Sequence, residues 1–282
     1  LRRWELFLNQ ESNKVKLTAR YIYEHLYLAH IHFEKIPGEF FRLVRSKTPT
    51  PKPINEISTT RPYDPPGIKN FYYRFQKITS TIVHKTHILY PLSDKKMERF
   101  KELFINKQWK DEKVLLSSYD PQTSTNPFIT FHQIPAESRY QFLLDNAQYH
   151  VMTFIRGPVC KGQIALNVIN DHFWVMFLSP QSDLSVTDEK FLNTTKKFLQ
   201  LPAVGKSDLV DSYYPKFKEF QMQYTKSRHH FYKKLRPKGM DIKDIWDGDK
   251  NNPSAFLTIY RHHNSATVLT GRHGGTPKTL WV

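Results

Sequence analysis

The chain has 282 residues, 39% of them hydrophobic and 14% aromatic, which is enough to bury a substantial core and argues against disorder. Its 42 lysine and arginine residues outnumber 26 acidic residues, so the net charge of +16 favours an anionic partner such as a phospholipid surface, a nucleic acid or an acidic protein. No apolar run approaches the roughly 18 residues that span a bilayer. Any membrane contact of this chain is therefore predicted to be peripheral.

The N-terminal part is predicted to hold one helix and several strands around a proline-rich connector. Residues 14–33 have the apolar spacing of a helix, which Pro37 and Gly38 would end. Residues 46–67 contain Thr-Pro-Thr-Pro-Lys-Pro and Arg-Pro-Tyr-Asp-Pro-Pro-Gly and cannot hold long regular structure. Strands are predicted where β-branched and aromatic residues concentrate, at residues 39–45, 70–77 and 79–87.

The remainder alternates helices and strands without a βαβ repeat. Helices are predicted at residues 93–104, 135–151, 187–199 and 208–235, the first capped by Ser93 and the last strongly basic. A loop is predicted at residues 121–127, and strands at 164–169, 173–178, 254–260 and 266–269, the last two as a hairpin. The pattern favours an α+β fold with mostly antiparallel strands, in a single large domain that could divide into two lobes near residues 46–67.

The run from Arg156 to Gln163, Arg-Gly-Pro-Val-Cys-Lys-Gly-Gln, interrupts regular structure and holds the only cysteine. Gly157-Pro158 should stop the preceding helix, which places polar side chains where they can meet a ligand. Cys160 has no histidine beside it to act as a base, so we expect it to be structural or to line a pocket. Arg156 and Gln163 are the better candidates for polar contacts, since a guanidinium grips phosphate or carboxylate in a bidentate manner. The plainer interpretation is a helix stop with a buried thiol.

Histidine is the most frequent candidate for chemistry, with 13 copies. On the predicted first helix, His25 and His32 are two turns apart and share a face, too far apart to bind one metal ion, whereas His30 points elsewhere. Polar positions on a half-buried helix explain them equally well. His84 and His87 would face opposite sides of a regular strand, so we expect one of them to face a cavity.

Two further groups of basic residues stand out near the C-terminus. Arg261 and His263 would share a strand face and form a cationic patch suited to a phosphate or a haem propionate, although an exposed strand end is an alternative. A basic segment with interleaved aromatic residues contains Lys226, Arg228, His229, His230, Phe231, Tyr232, Lys233, Lys234 and Arg236. Such a helix fits a membrane interface, and it also fits nucleic acid or simple solvation.

Five segments resemble, in the same order, the bacterial fatty acid cis/trans isomerases: residues 23–33, 61–64, 81–87, 134–163 and 260–266. The resemblance spans nearly the whole chain, and the run from Arg156 to Gln163 is its most specific part. These enzymes are haem-containing and periplasmic, and they act on unsaturated phospholipid acyl chains. They carry a Cys-x-x-Cys-His attachment site for haem c, which a chain with one cysteine cannot contain, and Cys160 is followed by Lys-Gly-Gln. With Leu1 first and Val282 last, the chain is predicted to be an internal portion of the enzyme, inactive without the haem segment.

The resemblance implies cis-to-trans isomerisation of acyl double bonds without ATP, assisted by a ferric haem that withdraws electron density from the π bond. It implies a periplasmic chain, peripheral to the membrane, with phospholipid acyl chains and an anionic membrane surface as partners. The predicted catalytic residues are His84, His87, Arg156, Gln163, Arg261 and His263, the first two near the haem cavity and the others positioning polar groups.

A rival interpretation is a non-catalytic basic module that docks on anionic membrane lipid or nucleic acid. Nucleic acid is disfavoured because no helix-turn-helix, zinc-finger or RNP-like signature occurs. A metal hydrolase is disfavoured because no His-Glu-x-x-His motif occurs.

Overall fold

Two β-sheets with helices packed around them form the described part of the chain, which confirms the predicted α+β fold class. The computed structural model describes residues 1–82, 87–111, 113–156, 171–176, 178–201, 210–246, 248, 256–262 and 265–270.

The first sheet has four strands in the order β3-β2-β1-β4. They are β1 (His30–Phe33), β2 (Ile36–Ser46), β3 (Tyr72–Lys77) and β4 (Leu89–Leu92). Strand β2 pairs antiparallel with β1 and β3, and β1 pairs parallel with β4. Along β1 the side chains alternate, so that Ile31 and Phe33 enter the core while His30 and His32 lie on the opposite face.

Helices cover the core face of this sheet and continue beyond it. Their bounds are α1 (Arg2–Leu8), α2 (Asn13–Leu26), α3 (Asp94–Phe100), α4 (Pro121–Ser124), α5 (Pro127–Thr130), α6 (Ala136–Asp145), α7 (Ala147–Arg156), α8 (Leu184–Thr187), α9 (Glu189–Thr195) and α10 (Val210–Leu235). A π-helical turn (Lys101–Asn106) extends α3, and 3-10 turns occupy Lys196–Phe198 and Ile242–Asp244. Ser93 caps α3 as predicted, because its hydroxyl accepts a hydrogen bond from the Lys96 amide at 3.0 Å.

Aromatic residues of α2, α3 and α6 form the centre of the core. Phe142 is fully buried, and its ring lies 5.3 Å from Tyr21, 5.4 Å from Phe100 and 5.7 Å from Phe104, measured between centroids. Rings at these distances, mostly tilted or edge-on, add to the free energy of hydrophobic burial. The packing fixes the face of α2 that carries Tyr21 and His25.

Helix α1 protects the exposed edge of the sheet at β3. The Asn9 side chain, which caps the end of α1, accepts a hydrogen bond from the Tyr73 amide and donates one to the Tyr73 carbonyl, both at 2.8 Å. One turn earlier, Glu5 accepts a hydrogen bond from the Phe75 amide at 2.9 Å. These side chains satisfy backbone groups that an edge strand would otherwise leave open to another chain.

The second sheet is antiparallel, in the order β5-β6-β7. Its strands are β5 (Asp171–Met176), β6 (Phe256–His262) and β7 (Ser265–Thr270), which confirms the predicted C-terminal hairpin. Helix α10 packs on α9 through the rings of Phe231 and Phe191, 5.3 Å apart, and its predicted extent of 208–235 is close to the observed one.

The predicted first helix is wrong in its second half. Helix α2 ends at Leu26, and residues 30–33 form β1, because their alternating pattern pairs with β2 on one side and β4 on the other. Pro37 and Gly38 do not end a helix; they lie in β2, just after the hairpin turn.

Three other predicted boundaries also differ. The strand predicted at residues 79–87 is absent from its described part, and a strand at 89–92 was missed. The segment predicted as a loop at 121–127 contains α4 and the start of α5. Asp120 and Asn126 cap the starts of these two helices, and a proline is the first residue of each helix. The helix at 135–151 is two helices divided at Asn146, which accepts a hydrogen bond from the buried Tyr90 hydroxyl. The strand at 164–169 lies outside the described residues.

Candidate functional site

Helix α2 separates two cavities. Tyr21 and His25, four residues apart, share one face of the helix, whereas Tyr23 and Tyr27 share another. The cavity lined by Tyr21 and His25 is called the histidine cavity. The cavity lined by Tyr23 and Tyr27 also contains Arg45 in its wall and is called the arginine cavity.

The histidine cavity has a volume of about 370 Å³ and mostly apolar walls. Its lining includes Tyr21, His25, Phe128, Phe131, Arg139 and Leu143. At its rim the Tyr140 hydroxyl donates to the Asp183 carboxylate at 2.5 Å. A concave apolar space with few polar groups is the usual form of a site for a hydrophobic ligand.

His25 presents a neutral imidazole to this cavity. Its Nδ1 lies 2.8 Å from the Tyr21 carbonyl oxygen, which can only accept, so Nδ1 carries the proton and Nε2 keeps its lone pair. Burial lowers the pKa of His25 to about 4, and the backbone hydrogen bond opposes that shift only partly. At neutral pH the nitrogen Nε2 is therefore available as a proton acceptor or a metal ligand.

A second half-buried histidine, His150, lies beside His25. The His150 ring lies 5.6 Å from the His25 ring, and within the described residues its Nε2 is enclosed without a hydrogen-bond partner. Burial first, and then the neighbouring His25 and Lys96, together lower the pKa of His150 to about 3. Both imidazoles are neutral because a charge here would lose its hydration without gaining a counter-ion.

The arginine cavity, of about 210 Å³, is more polar. Its walls include Tyr23, His30, Arg42, Arg45 and Thr59. His30 forms a close pair with His87, since the two Nδ1 atoms are 2.7 Å apart and one of them must carry the shared proton. The pKa of His30 is lowered by burial first, and then by His87 and Arg42.

Four of the segments that resemble an isomerase meet around these cavities. The first supplies His25 to one cavity and His30 to the other. The second supplies the Asp64 carbonyl that accepts from Arg45, and the third supplies His87. The fourth supplies Arg139 to the histidine cavity.

The whole chain, residues 1–282, matches the family described as fatty acid cis/trans isomerase (CTI). The chain belongs to this isomerase family. No curated protein matches it, and no solved structure does.

Of the six catalytic residues predicted for this isomerase, the structure describes only one side chain, that of His87, and places it against His30. His84, Gln163 and His263 lie outside the described residues. Arg156 is the last residue of α7, and Arg261 pairs with Ala266 in the β6–β7 hairpin, both described at the level of the backbone. The roles assigned to these residues stay predictions.

Sequence reasoning missed the partners that complete each cavity. His25 and His32 do not share a helix face, since His32 lies in β1. The alternation His-Ile-His-Phe at residues 30–33 was the available signal for a strand that turns two histidines away from the core. His30 and His87, and likewise His25 and Arg139, are far apart in the sequence, so no local sequence pattern could predict that they come together.

Within the described residues, His25 is a side chain that could hold the haem that the resemblance implies. Its Nδ1 is bound to a carbonyl and its Nε2 would be free to bind iron, and Arg139 in the same wall could pair with a propionate. Covalent attachment through a Cys-x-x-Cys-His motif does not fit, because the chain has one cysteine.

Within the described ranges, no three histidine, cysteine or acidic side chains are grouped so as to hold a metal ion. No helix in these ranges is long and apolar enough to cross a membrane.

Proposed function

We propose that this isomerase converts cis to trans double bonds in the unsaturated acyl chains of membrane phospholipids, and that the acyl chain enters the histidine cavity. The observation that carries the proposal is an apolar cavity whose wall contains one neutral imidazole with an available nitrogen. An acyl chain gains about 0.8 kcal/mol for each CH₂ group that it buries. The family to which the chain belongs supports the reaction.

Rotation about a double bond requires a weakened π bond, and bound ferric haem supplies the electron withdrawal for it. The chain's own residues have three roles in the proposal. The rings of Phe128 and Phe131 exclude water and hold the acyl chain, His25 offers Nε2 without introducing a charge, and Arg139 orients an anionic group at the wall. His84 and His87 remain candidates for the cavity near the haem, and Arg156, Gln163, Arg261 and His263 remain candidates for polar positioning. Alanine substitutions assayed by trans fatty acid yield test them.

Filling the histidine cavity should weaken acyl binding. Leu143→Trp places an indole in the lining, and we expect it to weaken the binding of cis-parinaric acid, a fluorescent polyene fatty acid, by about tenfold or more, because the indole takes up space that the acyl chain would fill. Fluorescence titration measures the affinity. In the full-length enzyme with its haem segment, the yield of trans acyl chains from phospholipid vesicles, measured by gas chromatography, should fall in parallel.

The matched control is Leu116→Trp, the same substitution at a side chain that is 50% exposed and does not line the cavity. It should leave both readouts unchanged. Undiminished probe binding by a folded Leu143→Trp protein would contradict the assignment of this cavity to the acyl chain.

The proposal includes peripheral contact with the anionic periplasmic face of a membrane through α10. Basic side chains on its exposed surface are Lys226, Arg228, His229, His230, Lys233 and Lys234. Met222 and Leu235 are also exposed on this helix, while Phe220 and Phe231 pack inward. Cations beside exposed apolar side chains fit the headgroup region of a bilayer.

Removing charge from α10 should release the protein from anionic vesicles. With Lys226, Lys233 and Lys234 all changed to glutamine, we expect affinity for phosphatidylglycerol vesicles to fall about a hundredfold, since each lysine near the surface contributes about 1 kcal/mol. Cosedimentation measures this, and glutamine at the exposed Lys69, Lys110 and Lys113 is the control of equal charge. Equal losses in both triple variants, or binding to nucleic acid but not to vesicles, would contradict a membrane surface at α10.

A further inference from the structure

The turn that follows α10 exposes a group of apolar side chains to solvent. Leu235 is 44% exposed, Met240 39% and Ile242 69%, although the three lie close together in the sequence. Among the described residues, Ile242 has the most exposed of the large apolar side chains. A single exposed apolar residue is ordinary, but a group of them on one short segment indicates a contact surface. We call residues 235–243 the apolar turn.

Local hydrogen bonds fix the shape of the apolar turn. The Asp241 carboxylate accepts a hydrogen bond from the Lys243 amide at 2.7 Å, and the Asp241 amide donates to the Asp244 carboxylate at 2.8 Å. This capping box holds the 3-10 turn that begins at Ile242. Gly239 has a φ of +77°, a backbone conformation that favours glycine. The bonds therefore define a conformation in which the Ile242 side chain faces solvent.

The apolar turn is fastened to the wall of the histidine cavity. The Asp244 carbonyl accepts a hydrogen bond from the Ser179 amide at 2.6 Å. The next residue, Ile245, pairs with Leu178 in an antiparallel bridge. Leu178 and Asp183, on either side of Ser179, both line the cavity. The apolar turn therefore lies next to the space that we propose for the acyl chain.

Basic side chains surround the exposed apolar ones. Four exposed lysines lie on the apolar turn or just before it: Lys233, Lys234, Lys238 and Lys243. Within the described ranges none of them forms an ion pair, and the nearby Asp244 is bound to Arg236 at 3.6 Å instead. Anionic headgroups attract lysine, and the acyl region beneath them accepts isoleucine and methionine. Unpaired cations around an apolar tip therefore match the two layers of a bilayer surface.

We propose that the apolar turn inserts Met240 and Ile242 below the headgroups of an anionic bilayer, beside the histidine cavity. The inference rests on the membrane contact proposed above for α10, and it goes further, because lysines alone would hold the protein on the headgroups. The acyl chains of a bilayer lie beneath the charged surface. Insertion at this position brings the cavity wall that contains Leu178 toward those chains.

A fluorescent probe on the 282-residue chain tests insertion directly. In Cys160→Ser, which removes the only native thiol, Ile242→Cys carries the environment-sensitive dye nitrobenzoxadiazole. We expect its emission to shift to the blue with phosphatidylglycerol vesicles, and to be quenched by lipids that are spin-labelled in the acyl region, because the dye leaves water. The matched control is the dye at Leu6→Cys, a side chain that is 63% exposed and also has basic neighbours. Its emission should not change.

A second variant tests insertion without a label, and it decides the question should Cys160→Ser fail to fold. Met240→Ser combined with Ile242→Ser should lower the affinity for the same vesicles about tenfold or more, since burial of each apolar side chain adds to binding. Salt at about 0.5 M screens the lysines, so it should weaken the parent and the variant alike and leave the ratio of their affinities unchanged. Leu6→Ser should bind as the parent does.

The outcomes separate insertion from the function proposed above. Cosedimentation with vesicles but no change in dye emission at position 242 would overturn insertion and leave the headgroup contact of α10 in place. No cosedimentation of the folded parent would overturn both. A dye shift that follows protein concentration without vesicles would mean that the apolar turn contacts a second copy of the chain, and would also overturn insertion. Neither acyl binding nor trans acyl yield is used, so the isomerase proposal is tested separately.

Discussion

Replacement of Glu5 by alanine is expected to lower the free energy of unfolding by about 3–5 kcal/mol, because it leaves a buried cation without its partner. Glu5 is 3% exposed, and its Oε2 accepts from Arg74 Nε at 3.0 Å and from the Thr50 hydroxyl. Its Oε1 accepts from the Phe75 amide. One carboxylate therefore joins α1, β3 and the proline-rich connector.

Urea denaturation of Glu5→Ala measures the loss. Glu11→Ala removes an exposed carboxylate that bonds Lys16 at 2.7 Å, and it should cost no more than about 1 kcal/mol. Adding Arg74→Met to Glu5→Ala should recover part of the stability, since the unpaired charge is then removed. A loss below about 1 kcal/mol for Glu5→Ala alone would mean that Arg74 reaches solvent or another acceptor. The result bears on the arginine cavity because β3 pairs with β2, which carries Arg42 and Arg45 in its lining.

Local sequence signals were enough to predict a helix or strand wherever a short-range hydrogen bond or a repeating apolar pattern determines it. Ser93 and Asp188 each cap a helix through a bond to an amide three residues later, and both helix starts were predicted. A capping residue is also present at Asp120 and at Asn126, but proline at the next position favours a loop as much as the first residue of a helix, so the sequence predicts a loop there.

Tertiary pairing decided the elements that were predicted wrongly. Residues 27–33 could continue a helix by apolar spacing alone, but Ile31 and Phe33 are buried only when β1 lies between β2 and β4. Strand β4 has four residues, two of them exposed, so its pattern is too short to detect without its parallel partner.

In the candidate site, too, local motifs could be read from the sequence, whereas contacts between distant residues could not. His87 was identified from its motif, but its neighbour His30 is 57 residues away and was assigned to the wrong element. His25 was interpreted as a polar position on a half-buried helix; its neutral state depends on Phe142 and His150, which reach it only through the packing of α6 and α7. The buried Arg45 was not singled out, because burial of a charged side chain inside a strand leaves no sign in the sequence.

Acidification should destabilise the protein through His25 and His150, which are half-buried. Burial holds the pKa of His25 at about 4 and that of His150 at about 3 in the folded chain, whereas both return to about 6.5 on unfolding. At pH values between the folded and the unfolded pKa values, the unfolded chain therefore binds more protons than the folded chain does. The stabilising contribution is complete above pH 6.5 and is lost as the pH falls toward 4, by on the order of 3 kcal/mol for His25.

Comparing His25→Phe with the parent protein isolates this effect from carboxylate titration. The urea midpoint of the parent should fall more steeply between about pH 7 and 4.5 than that of the variant, which cannot take up the proton at this position. His132→Phe is the matched control, because His132 also bonds a backbone carbonyl through Nδ1, at 2.8 Å, but is exposed in the folded chain. An equal pH dependence in the parent and His25→Phe would show that His25 is as easily protonated in the cavity as in water. The cavity would then tolerate a charged imidazole, and the argument that burial keeps this nitrogen neutral would have to be abandoned.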